Sequence, residues 1–178
     1  EDSYSWFQSQ VDTQSLIDML LFHIFLKNYD YGNTGVWKAP NQKWTFLVFD
    51  ADLVFTGAMK AEELFYSGDL CFQLMRKMTS WLAKSPHFQE EILHRAGELY
   101  HGHFHPKRFD LIMEQYRTRY AETMLSLKKR KIYRIDWKKK SHILQKRYHS
   151  NYKNIPSTFK RLFRISNDDI QKYFTASE

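Results

Sequence analysis

From Leu16 to Leu26 the chain is apolar at every position except Asp18 and His23. The apolar residues of Thr13–Lys27 therefore lie almost all round a helix. Such a helix is enclosed on most sides rather than amphipathic, and it is expected to form the centre of the core. Asp12, just ahead of it, is the kind of residue that caps a helix N-terminus. Residues 1–12 are polar and aromatic with no clear period. His23 is expected to be a satisfied core histidine, because buried polar groups find partners.

This helix would deliver Asn28 and Asp30 to its C-terminal end. Gly32 and Gly35 permit tight backbone geometry around Asn33 and Thr34. Val36 and Trp37 read as a short strand, and Ala39-Pro40-Asn41-Gln42 as a turn. From Lys43 to Phe49 the side chains alternate, with Trp44, Phe46 and Val48 on one face and Thr45, Leu47 and Phe49 on the other. Both faces are mostly apolar, so this second strand is expected to be covered twice. It ends in two carboxylates, Asp50 and Asp52.

From Glu62 onward the pattern is helical. Leu70 to Lys84 form one segment, and Ser85-Pro86 is an N-cap and N1 pair that starts another. Phe88, Ile92, Ala96 and Leu99 give that helix one apolar face. Pro106 starts a third, with Phe109, Ile112, Met113, Tyr116 and Tyr120 expected inward. Pro156 is expected to open a further short helix carrying Phe159, Leu162 and Phe163. Asn167, Asp168 and Asp169 read as the cap and first turn of the last one. With no repeats, low-complexity tracts or Gly/Ser linkers, residues 1–178 are expected to form a single domain. The fold class is mainly α with a small β-hairpin.

Composition sharpens this picture in three ways. No apolar run reaches the roughly 18 residues of a membrane span; LIDMLLFHIFL is too short and is interrupted. The single cysteine, Cys71, excludes an internal disulfide framework and reads as a small buried hydrophobe. No signal-peptide pattern opens the chain, which begins with Glu1; it reads as a processed chain or an excised piece, and its compartment is not legible. The net charge of +7 is divided unevenly: residues 1–70 hold 4 Lys/Arg against 10 Asp/Glu, and the remainder holds 23 against 10. An acidic first part fits a site that collects cations. A basic second part suits an acidic protein, nucleic acid or an anionic surface.

Asp50 and Asp52 are the leading chemical candidates. Carboxylates at a strand end suit a divalent cation that bridges phosphate oxygens; the plain alternative is a pair of exposed acids. Asp30 could orient a hydroxyl, or simply make a turn contact. His101, His103 and His105 form H-G-H-F-H between two helices. No acid or thiol accompanies them, so capping is preferred over zinc. The run 128–140, KKRKIYRIDWKKK, could grip phosphates with Tyr133 and Trp137 stacking, or be a solvated helix face. No nucleic-acid fold surrounds it, so an acidic protein partner is the stronger expectation.

Taken in order, VDTQSLIDMLLFHIFLKNYD, GNTGVWK and KWTFLVFDADLVFTG, followed by LAKSPHFQEEILHRAGELYHGHFHPKRFDLIMEQY, resemble the CotH family of atypical, kinase-like proteins, over nearly the whole chain. The resemblance implies the C-terminal lobe of a protein kinase. It implies transfer of the γ-phosphoryl of ATP to a Ser or Thr hydroxyl of a protein substrate, with Mg²⁺ or Mn²⁺. Asp30 would be the catalytic residue. Asp50 would take the metal-binding place of the DFG Asp, Asp52 would add a ligand, and Asn33 would be the loop Asn that reaches metal and nucleotide. Asn33 follows Asp30 by three residues rather than the five of the kinase signature, which leaves Asn28 as an alternative. No G-x-G-x-x-G is present, and too few residues precede Asp30 for a nucleotide-binding lobe. The resemblance therefore maps to the second half of the family domain, and this chain alone is not expected to bind ATP well. It also suggests a spore coat or an extracytoplasmic surface. The rival reading is a non-catalytic module that holds an acidic partner or surface ligand on its basic helices.

Overall fold

The computed structural model of the chain describes residues 3–28, 33–52, 54–55, 77–132 and 136–175. Asp30, Gly32, Gly57, Cys71 and Tyr133 lie outside them, as does most of the helix expected over 70–84, of which residues 77–82 are helical. The elements are α1 (Ser3–Gln10), α2 (Thr13–Leu26), β1 (Thr34–Trp37), β2 (Thr45–Val48), α3 (Pro86–His101), α4 (Pro106–Lys129), α5 (Trp137–Phe163) and α6 (Asn167–Phe174). The fold is mainly α with one antiparallel hairpin, as the pattern predicts.

Helix α2 is the centre of the core. Leu16, Ile17, Met19, Leu20, Leu21, Ile24 and Phe25 are all buried. Asp12 caps it by accepting from the Ser15 amide at 3.2 Å. Asp18, the polar exception, pairs with Arg95 of α3 at 2.8 Å. Helix α1 is fastened to α3 as well: the Tyr4 hydroxyl donates to Glu91 at 2.6 Å, and the Gln8 amide donates to the same carboxylate at 2.9 Å. Helix α3 starts at Ser85, whose hydroxyl accepts from the Phe88 amide, with Pro86 in the first turn. Its apolar face (Phe88, Ile92, Ala96 and Leu99) is buried as expected.

The hairpin pairs Thr34 with Val48, Gly35 with Leu47, Val36 with Phe46 and Trp37 with Thr45. It is held to the α1–α2 junction by backbone bonds from Trp44 to Gln10 and from Asp12 to Trp44, each 2.9 Å. The Phe46 amide also donates to the Ser15 hydroxyl at 3.0 Å. Phe46 and Val48 pack against the core. The opposite face is not covered by the described residues: Trp37 is 56% exposed, Leu47 50% and Phe49 54%. The expectation of a strand covered on both faces is thus corrected. Alternation with apolar residues on both sides says only that two faces are apolar, not that both find partners.

Three helix assignments also need correction. Pro156 lies inside α5 rather than at the start of a new helix. A mid-helix proline costs about 3 kcal/mol, but Tyr148, Ile155, Phe159 and Phe163 are buried along one continuous face, and that burial outweighs it. Side chains add bonds around the break: Asn154 donates to the Ser150 carbonyl and Ser157 to the Asn154 carbonyl, both at 2.9 Å. On α4 only Met113 is fully buried; Phe109 is half-buried, while Ile112, Tyr116 and Tyr120 are exposed. Its first half is pinned to α5 by Phe109 stacked on Tyr148 at 3.8 Å and by Asp110, which accepts from His149 at 2.8 Å and from Gln145 at 2.5 Å. Beyond that the helix runs on with its apolar side open. Finally, α6 is capped one residue earlier than expected, by Ser166, which forms a reciprocal capping box with Asp169.

Helices α3 and α6 approach closely at Gly97. A Cβ there would lie 2.7 Å from the Tyr173 carbonyl oxygen. That neighbour is backbone and cannot swing aside. Gly97→Ala is therefore expected to lose about 1–2 kcal/mol in urea unfolding despite its better helix propensity; a gain in stability would disprove this packing.

Candidate functional site

The site begins where α2 ends. Lys27 turns the chain in the left-handed conformation (φ 46°). His23, fully buried, lies 3.1 Å from the Asn28 carbonyl through Nδ1 and 3.2 Å from the Thr34 hydroxyl through Nε2. A carbonyl only accepts, so Nδ1 carries the proton and donates, and Nε2 accepts from Thr34. This assignment follows from the hydrogen-bond network. One imidazole thus bonds residues on both sides of positions 29–32, Asn28 and Thr34. Burial lowers its pKa to about 4, against the upward pull of its bond to Asn28. His23 is therefore a satisfied core histidine, as the sequence led one to expect, and burial keeps it neutral.

The hairpin supplies the other side. Asn33 is tied to the end of β2 twice: its carbonyl accepts from the Phe49 amide at 3.0 Å, and its side-chain nitrogen donates to the Asp50 carbonyl at 3.1 Å. Asp50 sits in the left-handed region with φ 50°, a conformation that costs about 1 kcal/mol in a residue with a side chain. The Asn33 bond holds it there. Asp50 and Asp52 are both exposed. Asn28 is fully buried; of the two asparagines, Asn33 is the one bonded to the Asp50 backbone.

Beyond the acids the chain is anchored at Phe55, which is buried and also left-handed (φ 56°). Its amide donates to the Leu26 carbonyl at 3.2 Å. Its carbonyl accepts from Arg147 of α5 at 2.7 Å. Its ring meets Tyr148 edge-on at 5.6 Å and Phe109 at 6.5 Å. Asn151, one turn further along α5, donates to the Ile24 and Phe25 carbonyls at the end of α2.

Of the four expected site residues, the structure joins two, Asn33 and the Asp50 backbone, and leaves Asp52 exposed two positions further on. Asp30 lies outside the described residues. Among the described residues no three His, Cys, Asp or Glu side chains gather. Two histidines of H-G-H-F-H have separate roles: His101 contacts the Tyr173 carbonyl at 3.2 Å, and His105 caps α4 by accepting from the Lys107 amide. In the basic run, Asp136 caps α5 and lies 3.8 Å from Lys128. No helix among the described residues is long and apolar enough to cross a membrane. Sequence reasoning missed Arg147 and Asn151. Both act across more than ninety positions, and nothing local marks them.

The described residues thus form a helical body with an Asn-braced acidic segment at the end of a hairpin and the next aromatic locked into the core. The family model described as CotH kinase protein matches residues 1–146 of the 178. The chain belongs to that family and is a kinase-like protein. No curated protein and no solved structure matches it. Arg147, Tyr148 and Asn151, which brace the acidic loop, lie just past the matched residues.

The His23 pKa gives a pH dependence. Unfolded, the imidazole titrates near 6.5; folded, it resists protonation until about 4. Below 6.5 the unfolded chain binds the extra proton, so stability is full above that pH and falls as pH drops toward 4, by up to about 3 kcal/mol. Urea unfolding across that range should show the decline, and His23→Gln should flatten it. An unchanged slope in the variant would reject a buried, neutral His23.

Proposed function

We propose that this chain is the catalytic-loop half of an atypical protein kinase, one that moves the γ-phosphoryl of ATP to a Ser or Thr hydroxyl of a protein. The observation that carries the reading is the Asn33–Asp50 brace: a carboxylate held in a left-handed turn at a strand end, 17 residues after an Asn that follows the Asp30 loop. Asp50, Asp52 and the Asn33 amide oxygen form an all-oxygen donor set. Such a set suits Mg²⁺ or Mn²⁺ rather than a softer metal. When bound, the cation would supply positive charge that neutralises the phosphates and the charge developing on the transferred group.

The chain's own residues would do the rest. Asp50 and Asp52 hold the cation at the loop. Asn33 fixes the backbone on which Asp50 stands. Asp30 accepts or orients the proton of the acceptor hydroxyl. His23 and Phe55 keep the two loops at a set distance from the end of α2. Because phosphoryl transfer has a largely dissociative transition state, positioning and electrostatics supply most of the catalysis.

The test uses the full-length protein with Mg²⁺ and radiolabelled ATP. Asp50→Gly is the informative variant, since glycine adopts φ 50° without strain. It should leave the melting temperature within a few degrees and lower transfer by about 10³-fold or more, the scale of a lost transition-state charge contact. Asp30→Ala should do the same. Transfer that survives both changes would refute the proposal. Salt-sensitive binding of acidic proteins with no nucleotide effect would favour a non-catalytic binding module instead.

A further inference from the structure

The far end of the α4–α5 pair holds a cleft of about 590 Å³ that includes none of the residues of the proposed catalytic site. Its floor is apolar, made by Ala121, Met124 and Leu125 of α4. Arg117, which reaches across to Gln145 of α5, lines it together with Trp137 and Lys138 of α5. Two buried donors there, Trp137 Nε1 and Arg117 Nε, have no hydrogen-bond partner among the described residues. Leaving such donors unmatched costs about 1–3 kcal/mol each, so two in one cleft mark a place that accepts an incoming oxygen.

Basic groups outnumber acids around the cleft, with Arg117, Lys128 and Lys138 against Glu114 and Asp136. Its two acids are already engaged: Glu114 is 2.7 Å from Arg117, and Asp136 both caps α5 and faces Lys128. The flanking stretch 128–140 carries eight Lys or Arg and one Asp. Apolar side chains are open beside it, with Leu125 54% exposed and Ile132 68% exposed. Nucleic acid would use exposed aromatic faces for stacking. The cleft offers one indole, half-buried, and an aliphatic floor instead.

We propose that this cleft docks an acidic polypeptide segment bearing an aliphatic side chain. The aliphatic group enters over Ala121, Met124 and Leu125. A carboxylate or backbone carbonyl accepts from Trp137 Nε1 and Arg117 Nε. Further acids of the segment lie along the Lys-rich rim. The site is independent of phosphoryl transfer and stands or falls separately from it.

A fluorescein-labelled peptide of Glu and Asp residues around one central Leu, titrated into the full chain and read by anisotropy, is the test. Saturable binding that weakens with added salt is expected. Trp137→Phe keeps the ring body but loses the donor, and should weaken binding about three- to tenfold. Leu125→Glu changes an exposed position, leaves the circular dichroism spectrum intact and should weaken binding at least as much. Replacing the central Leu of the peptide by Gly should do likewise. If both variants bind like the parent chain, or the Gly peptide binds equally well, the cleft is not the site. If a single-stranded oligonucleotide of equal charge competes as well as the peptide, the surface is a general polyanion face and the assignment is overturned.

Discussion

A helix that ends inside a protein must still satisfy its last four carbonyls, because water cannot reach them. Helix α2 ends this way, and its solution organises the rest of the molecule. The His23 carbonyl accepts from the Asn28 amide as the chain reverses. The Ile24 and Phe25 carbonyls accept from Asn151 on α5. The Leu26 carbonyl accepts from the Phe55 amide, beyond the acidic loop. Each bond left unmade would cost about 1–3 kcal/mol. One partner is local and two come from distant places, so one buried helix end dictates where Asn28, helix α5 and Phe55 must lie.

The acidic loop inherits its geometry from those bonds. Upstream, Asn33 holds Asp50 against the first strand; downstream, Phe55 is fixed by Leu26, Arg147 and an aromatic cage. Between these anchors the two carboxylates are exposed but on a short leash. Exposed functional groups on a loop held at both ends by rigid elements are what a reactive site needs. His23 adds a brace that carries no charge, since burial keeps it neutral. A cationic imidazole beneath the loop would compete with any metal for the same carboxylates.

What the sequence disclosed divides along the same line. Helix α2, its Asp12 cap, the hairpin, the Ser85-Pro86 start and the satisfied core place of His23 were legible, because each rests on residues within a few positions of one another. The Asn33–Asp50 pair was legible as two candidates but not as a contact, since the bond spans the hairpin. The outward turn of Ile112, Tyr116 and Tyr120 was not legible: helical spacing reveals a face but not whether a neighbour is long enough to cover it. The continuation of α5 through Pro156 was hidden because local cost and distant burial oppose each other, and only the packed structure shows which is larger. Asn151 and Arg147 looked like ordinary helix-surface residues. Their roles exist only once α2 and Phe55 are in place.

The charge division acquires a physical meaning on the proposed reading. The first 70 residues carry an excess of six negative charges, and a nucleotide triphosphate is itself strongly anionic. The two would repel unless a divalent cation came between them, so the acidic half can receive a nucleotide only as its metal complex. Most cationic residues lie beyond residue 70, and one of them, Arg95 of α3, pairs with Asp18. Arg147 crosses to the loop, but it does so to reach a backbone carbonyl rather than a carboxylate. That choice lets a positive residue position the loop while the Asp50 and Asp52 side chains stay exposed for a metal. Were Arg147 to pair with either acid, the loop would gain an ion pair and lose a ligand.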